Sequence, residues 1–267
     1  MGAVIIAKNV NAQAFSMGIN LPVMDGILGC WLGGSKGRWA NQVAGGAQPL
    51  IIGTPNHVTE YSSQLSTVNY IDTNIAEPEN MTMLVVAKVY APTTQRMQFF
   101  GNYNQNKTDG GTTITANGSG LVIESAGTQV YLSSSYTGVA GAASNANGVV
   151  MTAESGLATS LANADSTSWR AYSGKTDGAG AIGTAGMRYL KNLTKGASNS
   201  LALATGNVRD LRNSATLRIG TRGPNGNAEA PTEIMMAMLW DRPLTNDEEA
   251  EMYSYIQSYA DRRGIVI

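Results

Sequence analysis

His57 and Cys30 are the only imidazole and the only thiol in this chain. With no nucleophile motif around that histidine, His-assisted catalysis and His-based metal binding lack their parts, and a lone cysteine excludes a disulfide within the chain. His57 is therefore expected to be a surface or hydrogen-bonded residue. A facing pair of carboxylates could hydrolyse a glycosidic bond. On a strand that means acidic residues at alternating positions, because only that spacing sends both to one face of the sheet. No strand candidate carries Glu-x-Asp or Glu-x-Glu, and Glu248, Glu249 and Glu251 lie in a stretch that reads as helix, where capping and solvation account for them. The chain is expected not to be an enzyme. Recognition of a polyhydroxyl ligand needs an aromatic face for stacking and planar polar side chains for the hydroxyls. Asn102-Tyr103-Asn104-Gln105-Asn106 holds both, and Arg222-Gly223-Pro224-Asn225-Gly226-Asn227 holds the polar part. Asn102, Tyr103, Asn104, Arg222 and Asn225 are thus the candidate ligand-binding residues, against the plainer reading of two exposed hairpin tips.

A chain of 267 residues with 43% apolar side chains can bury a core of its own to hold such loops. With 18 basic against 19 acidic side chains it has no electrostatic footprint for nucleic acid, and no run approaches the roughly 20 apolar residues of a membrane-spanning helix. From Gly26 the texture is one of short apolar runs bounded by Gly, Pro, Asn or Asp, twelve of them between residues 27 and 240, which predicts an all-β sandwich or barrel. Residues 83–89 and 234–240 are nearly continuous apolar runs, as in strands buried on both faces. Residues 109–111, 137–147 and 177–186 are too polar or too small-chained for core and read as loops or hairpin tips. Thr245-Asn246-Asp247-Glu248 is a capping box and Arg262-Arg263-Gly264 a helix end, which predicts one helix over 246–263.

Residues 1–25 read as an arm. Val4-Ile5-Ile6 is an apolar patch, and Phe15 and Leu21 belong to a further apolar stretch without clear periodicity. Val4, Ile5, Ile6, Phe15 and Leu21 are expected to pack on another subunit or to add a strand to a neighbour's sheet. The alternative is a segment folded back on its own domain. The start lacks a basic stretch followed by an apolar core, so no signal peptide is expected and synthesis in a reducing cytoplasm is the simplest reading.

The order of the later segments resembles laminin-G-like, concanavalin A-like jelly-roll domains. Leu217-Arg218-Ile219-Gly220 looks like the family's "IG" strand, the segment ending Trp240-Asp241-Arg242-Pro243-Leu244-Thr245 like its "DR-x-L-(T/S)" turn, and the acidic stretch after Thr245 like its short closing helix. Gly29-Cys30-Trp31-Leu32 is similar to the opening Trp-bearing strand, Asn69-Tyr70-Ile71-Asp72-Thr73 to the "Y-(I/V)-D" strand, and residues 169–177 to the "W…D-G" strand. The resemblance implies a single sandwich over 26–267 in which the opening and closing strands pair, with Trp31, Met236 and Trp240 inside it. It implies no cofactor, with calcium as the one ion that loop carboxylates such as Asp72, Asp109 and Asp177 could hold, against a plainer role in Asx turns. Taken with the expected lack of a signal peptide, disulfide and catalytic constellation, the low charge and the N-terminal arm, the resemblance implies a bacteriophage virion subunit of the tail or its fibres, made in the host cytoplasm, homo-oligomeric, and adhesive toward cell-surface glycan. A stand-alone glycan-binding module is the alternative, and a polysaccharide-active enzyme the third reading.

Overall fold

The computed structural model of the chain describes residues 20–92, 95–103, 107–109, 112–114, 118–124, 129–137, 145–152, 155–178, 186–203, 207–211, 215–221 and 229–267. They form two antiparallel sheets laid face to face, a small hairpin of Lys107–Asp109 with Thr112–Ile114, and a helix over Asn246–Asp261. The first sheet runs Ala197–Ala202, Met187–Asn192, Trp169–Asp177, Met81–Lys88, Thr232–Trp240, Ser63–Leu65, Asn56–His57. The second runs Asn145–Thr152, Gln129–Thr137, Gly120–Ile123, Met97–Gly101, Arg218–Ile219, Tyr70–Asp72, Leu50–Ile52. The opening strand Ile27–Leu32 pairs with the closing strand Thr232–Trp240, Trp31 opposite Ala237 and Cys30 opposite Met238. This is the long-range closure expected of a jelly roll, and it covers part of an edge that would otherwise be open.

The two continuous apolar runs are the adjacent central strands Met81–Lys88 and Thr232–Trp240, and each serves two cores. Met81, Met83, Val85, Ala87, Ala237 and Leu239 point between the sheets, where they meet Phe99, Phe100, Leu121, Leu132 and Ile219. The alternate residues Leu84, Val86, Met236, Met238 and Trp240 point outward into a second core closed by Met252, Ile256 and Ala260 of the helix. Trp31 lies between the sheets as expected, edge-on to Phe100 at 5.8 Å. Trp240 and Met236 do not. Both are fully buried, but on the outer face beneath the helix, because their register places them there.

The helix begins as its residues require. The Thr245 side chain accepts from the Glu248 amide and the Glu248 carboxylate accepts from the Thr245 amide, 2.8 Å. It ends at Asp261, two residues short of the expected 263. Gly264 (φ 68) then turns the chain, with the Ile265 amide donating to the Ala260 carbonyl (3.1 Å) and the Gly264 amide to Asp261 (2.9 Å), a Schellman closure.

The expected arm boundary at residue 25 is too late. Leu21 and Val23 are buried in the second core, and the Trp240 indole donates to the Val23 carbonyl at 3.2 Å, so Leu21 packs on its own domain. Val4, Ile5, Ile6 and Phe15 lie outside the described residues. Strands also run further into the stretch 137–147 than expected, to Thr137 and from Asn145.

Candidate functional site

Concave surfaces that carry polar and aromatic side chains together lie on the outer face of each sheet. On the second sheet, pairing sets Gly120, Ser133 and Gly148 in one outward row and Val122, Tyr131 and Val150 in the next. The row with two glycines has almost no side-chain volume, which leaves a depression of about 230 Å³ lined also by Tyr103 and Glu124. Tyr103 lies directly over Gly120, where an added Cβ would come within 2.9 Å of the tyrosine Cβ. Arg96 stands over the Tyr103 ring, 5.6 Å from its centroid, and pairs with Glu124 at 2.9 Å. The Tyr131 hydroxyl donates to Gln129. Partial burial, and after it the Glu124 carboxylate, hold the Tyr131 phenol above its ordinary pKa, so it stays protonated at neutral pH. Two half-exposed rings over a glycine floor, with a carboxylate, a guanidinium and an amide around them, can stack on a sugar and bond its hydroxyls.

On the first sheet, pairing aligns Ser173, Lys191 and Ser198 in one outward row and Lys175, Tyr189 and Ser200 in the next. These rows continue the strands whose neighbouring outward positions are apolar and lie under the helix. The start of the helix becomes the wall of a cleft of about 960 Å³, lined also by Asp177, Asn199, Leu244, Asn246 and Glu249. At its floor Glu249 is fully buried. It accepts from the Ser173 hydroxyl and pairs with Lys175 at 3.1 Å and Lys191 at 3.6 Å, while Lys175 also donates to the Leu244 carbonyl at 2.9 Å. This overturns the reading of Glu249 as solvated. Glu249, Met252, Ile256 and Ala260 share one stripe of the helix, and that periodicity in the sequence could have placed the carboxylate against the sheet. A third groove, of about 620 Å³, holds Lys88 and Glu233 paired at 2.8 Å, with Glu233 also accepting from Ser62.

The residues expected to bind ligand separate. Asn102 is fully buried, its amide donating to the Ala215 carbonyl and its oxygen accepting from the Ser119 amide, so it holds its own domain together and is closed to a ligand. Tyr103, the next residue, reaches the surface depression. Asn104, Arg222 and Asn225 lie outside the described residues. Asp72 is occupied by Thr216 and Arg218 and by the Asn74 amide of an Asx turn. Asp177 lines the cleft of the first sheet, and Asp109 ends a strand of the small hairpin. Among the described residues no three His, Cys, Asp or Glu side chains converge as a metal ion would need. His57 bonds Ser63 at 2.9 Å, and burial pushes the Cys30 thiol up to about 12, which leaves it inert. Deeper in the sandwich Glu77 is held by Arg209 and Ser119, so among the buried carboxylates Glu77, Glu233 and Glu249 are each engaged by a cation, and Glu229 accepts from the Thr221 hydroxyl at 2.8 Å.

No protein-family profile matches the chain, and no curated protein does. Solved structures do. The receptor-binding domain of botulinum neurotoxin mosaic serotype C/D matches with a TM-score of 0.56 at 11% identity, over 86% of this chain and 51% of that one. The type G receptor-binding domain matches at 0.52 and 10% identity, over 87% and 52%. The serotype D ligand-binding domain, solved in complex with N-acetylneuraminic acid, matches at 0.51 and 12%, over 86% and 51%. The chain spans about half the length of these structures. At such low identity the likeness shows the fold alone, a two-sheet sandwich.

Proposed function

We propose that the chain is a non-catalytic glycan-binding sandwich that serves as an adhesive subunit of a bacteriophage tail or fibre, made in the host cytoplasm. The observation that carries glycan binding is the depression over Gly120 and Gly148, where Tyr103 and Tyr131 stand beside Arg96, Glu124 and Gln129. The serotype D neighbour, solved with N-acetylneuraminic acid, lends support from the same fold. The virion role rests on the laminin-G-like resemblance, the low charge, and the apolar residues Val4, Ile5, Ile6 and Phe15, which would dock the domain on other virion subunits or on copies of itself. A stand-alone module is the competing reading, favoured by Leu21 and Val23 packing on this chain's own core.

A glycan array probed with the full chain and with Tyr103→Ala tests the site. Binding to at least one glycan is expected, weakened about tenfold or more by the substitution, as loss of a stacking ring on the order of 1–3 kcal/mol would give. Unchanged binding removes the site. Light scattering tests the assembly: a defined oligomer that becomes monomeric when the chain starts at Asn20 supports the virion subunit, and a monomer at full length supports the module.

A further inference from the structure

We propose that the cleft between the first sheet and the start of the helix Asn246–Asp261 binds an acidic saccharide, with Lys191 meeting the sugar's carboxylate or sulfate. The proposal deepens the glycan-binding reading but uses the opposite side of the sandwich from Tyr103. Its basis is the charge on the cleft floor, where two lysines meet the single carboxylate of Glu249, while Asp177, the other carboxylate of the lining, is exposed at the end of its strand. Glu249 is neutralised by Lys175, which lies 3.1 Å away and is fixed by a second bond to the Leu244 carbonyl. Lys191 adds another positive charge 3.6 Å from the same carboxylate, and among the described residues its ammonium makes no hydrogen bond. Its side chain is 29% exposed, so much of its hydration is given up for a shared contact longer than a hydrogen bond, which leaves room for a closer partner. A bound anion would supply that partner.

The surroundings fit a sugar carrying such a group. Tyr189, half-exposed on the same outward face two residues before Lys191, offers a ring, and it already stacks against the Lys175 ammonium at 5.3 Å. Ser198 and Ser200 are exposed in the same two rows, and Asn246 opens the helix on the other wall. The helix contributes its positive dipole end. Its first turn also carries Asp247, Glu248 and Glu249; Glu249 is paired on the floor, Glu248 is turned to Arg242, and neither Glu248 nor Asp247 lines the cleft. A volume of about 960 Å³ is that of a site for a short oligosaccharide rather than a single ion.

The test uses the full chain with two labelled probes, an oligogalacturonate and a sulfated chondroitin hexasaccharide, each beside its carboxyl-methylated or desulfated counterpart. At least one acidic probe is expected to bind tenfold or more tighter than its neutralised form and to weaken as salt rises. Which probe does so distinguishes carboxylate from sulfate. Lys191→Gln is expected to reduce that binding at least fivefold while lowering the melting temperature by a few degrees at most, Lys191→Arg to retain it, and Tyr103→Ala to leave it unaltered. Equal binding of charged and neutralised probes, indifference to Lys191→Gln, or no binding of either acidic probe overturns the proposal. The Tyr103 site fails separately, if Tyr103→Ala leaves binding to the glycan array unchanged.

Discussion

On the outer face of the first sheet Leu84, Val86, Met236, Met238 and Trp240 are buried under the helix, whereas the second sheet turns Val122, Tyr131, Ser133 and Val150 outward around an open depression. Both sheets belong to one sandwich and share the inner core. They differ in the outward half of each strand. Where outward residues are large and apolar, the chain must supply a cover, and the helix together with Leu21 and Val23 is that cover. Where they are glycine, serine and tyrosine with Val122 and Val150 packed among them, no helix covers the face and a depression stays open. The first sheet shows both cases on single strands: Trp169–Asp177 places Trp169 and Ala171 in the second core, then Ser173 and Lys175 in the cleft. The edge of the helix cover is where an outward-facing site begins.

If the covered face is a core in the full sense, Trp240 should matter as much as Trp31 between the sheets. Each is fully buried, and replacement by Ala is expected to cost about 3–5 kcal/mol. Denaturant unfolding of both variants compares them. A small loss for Trp240→Ala beside a large one for Trp31→Ala would reduce the helix to a loose covering. A chain starting at Gly26 sharpens the point, because it lacks Leu21, Val23 and the carbonyl that accepts from the Trp240 indole. It should be less stable than one starting at Asn20.

The polar half of the first sheet should break differently. Glu249→Gln keeps the shape but leaves Lys175 buried without its counter-charge, and losses of about 3 kcal/mol are expected when one partner of a buried pair is removed. Lys191→Gln should cost about 1 kcal/mol at most, since Glu249 keeps Lys175. Equal losses for the two variants would mean that Lys191 is structural and not a spare charge.

Much of this division is written in the sequence, and the exceptions have physical causes. The unbroken apolar runs at 83–89 and 234–240 imply strands covered on both faces, but an apolar run cannot say which alternate residues face which core. That depends on the register shift between Ile234 and Met236, which only pairing reveals. The capping box was legible because its partners are three residues apart. The strands Asn56–His57 and Ala197–Ala202 were not, being polar and exposed at the sheet edges. In the sites, Tyr103 stood out by type. Tyr131, Lys175, Tyr189 and Lys191 did not, because they meet only through pairing between strands distant in sequence.

The smallest expected effect concerns how the cover is fastened. Glu248 caps the helix and takes two bonds from Arg242, at 2.9 and 2.6 Å, and Arg242 also reaches the Asp25 carboxylate at 3.1 Å, tying the segment before the opening strand to the helix. The Arg242 guanidinium is the main reason that the Glu248 carboxyl is held down to about 2, from an ordinary value of 4.5. A depressed folded-state pKa stabilises the fold above the unfolded value and ceases to do so as protons bind. This contribution should therefore be complete above pH 4.5 and fade between 4.5 and about 2. The pair is partly solvated, so its worth is on the order of 1 kcal/mol or less. Glu248→Gln preserves the capping oxygen and removes the charge. Its stability deficit against the natural chain should be present at pH 7 and shrink as pH falls through that window. A deficit that stays constant from pH 7 to pH 2 would show that shape and capping, not charge, fasten the helix over the first sheet.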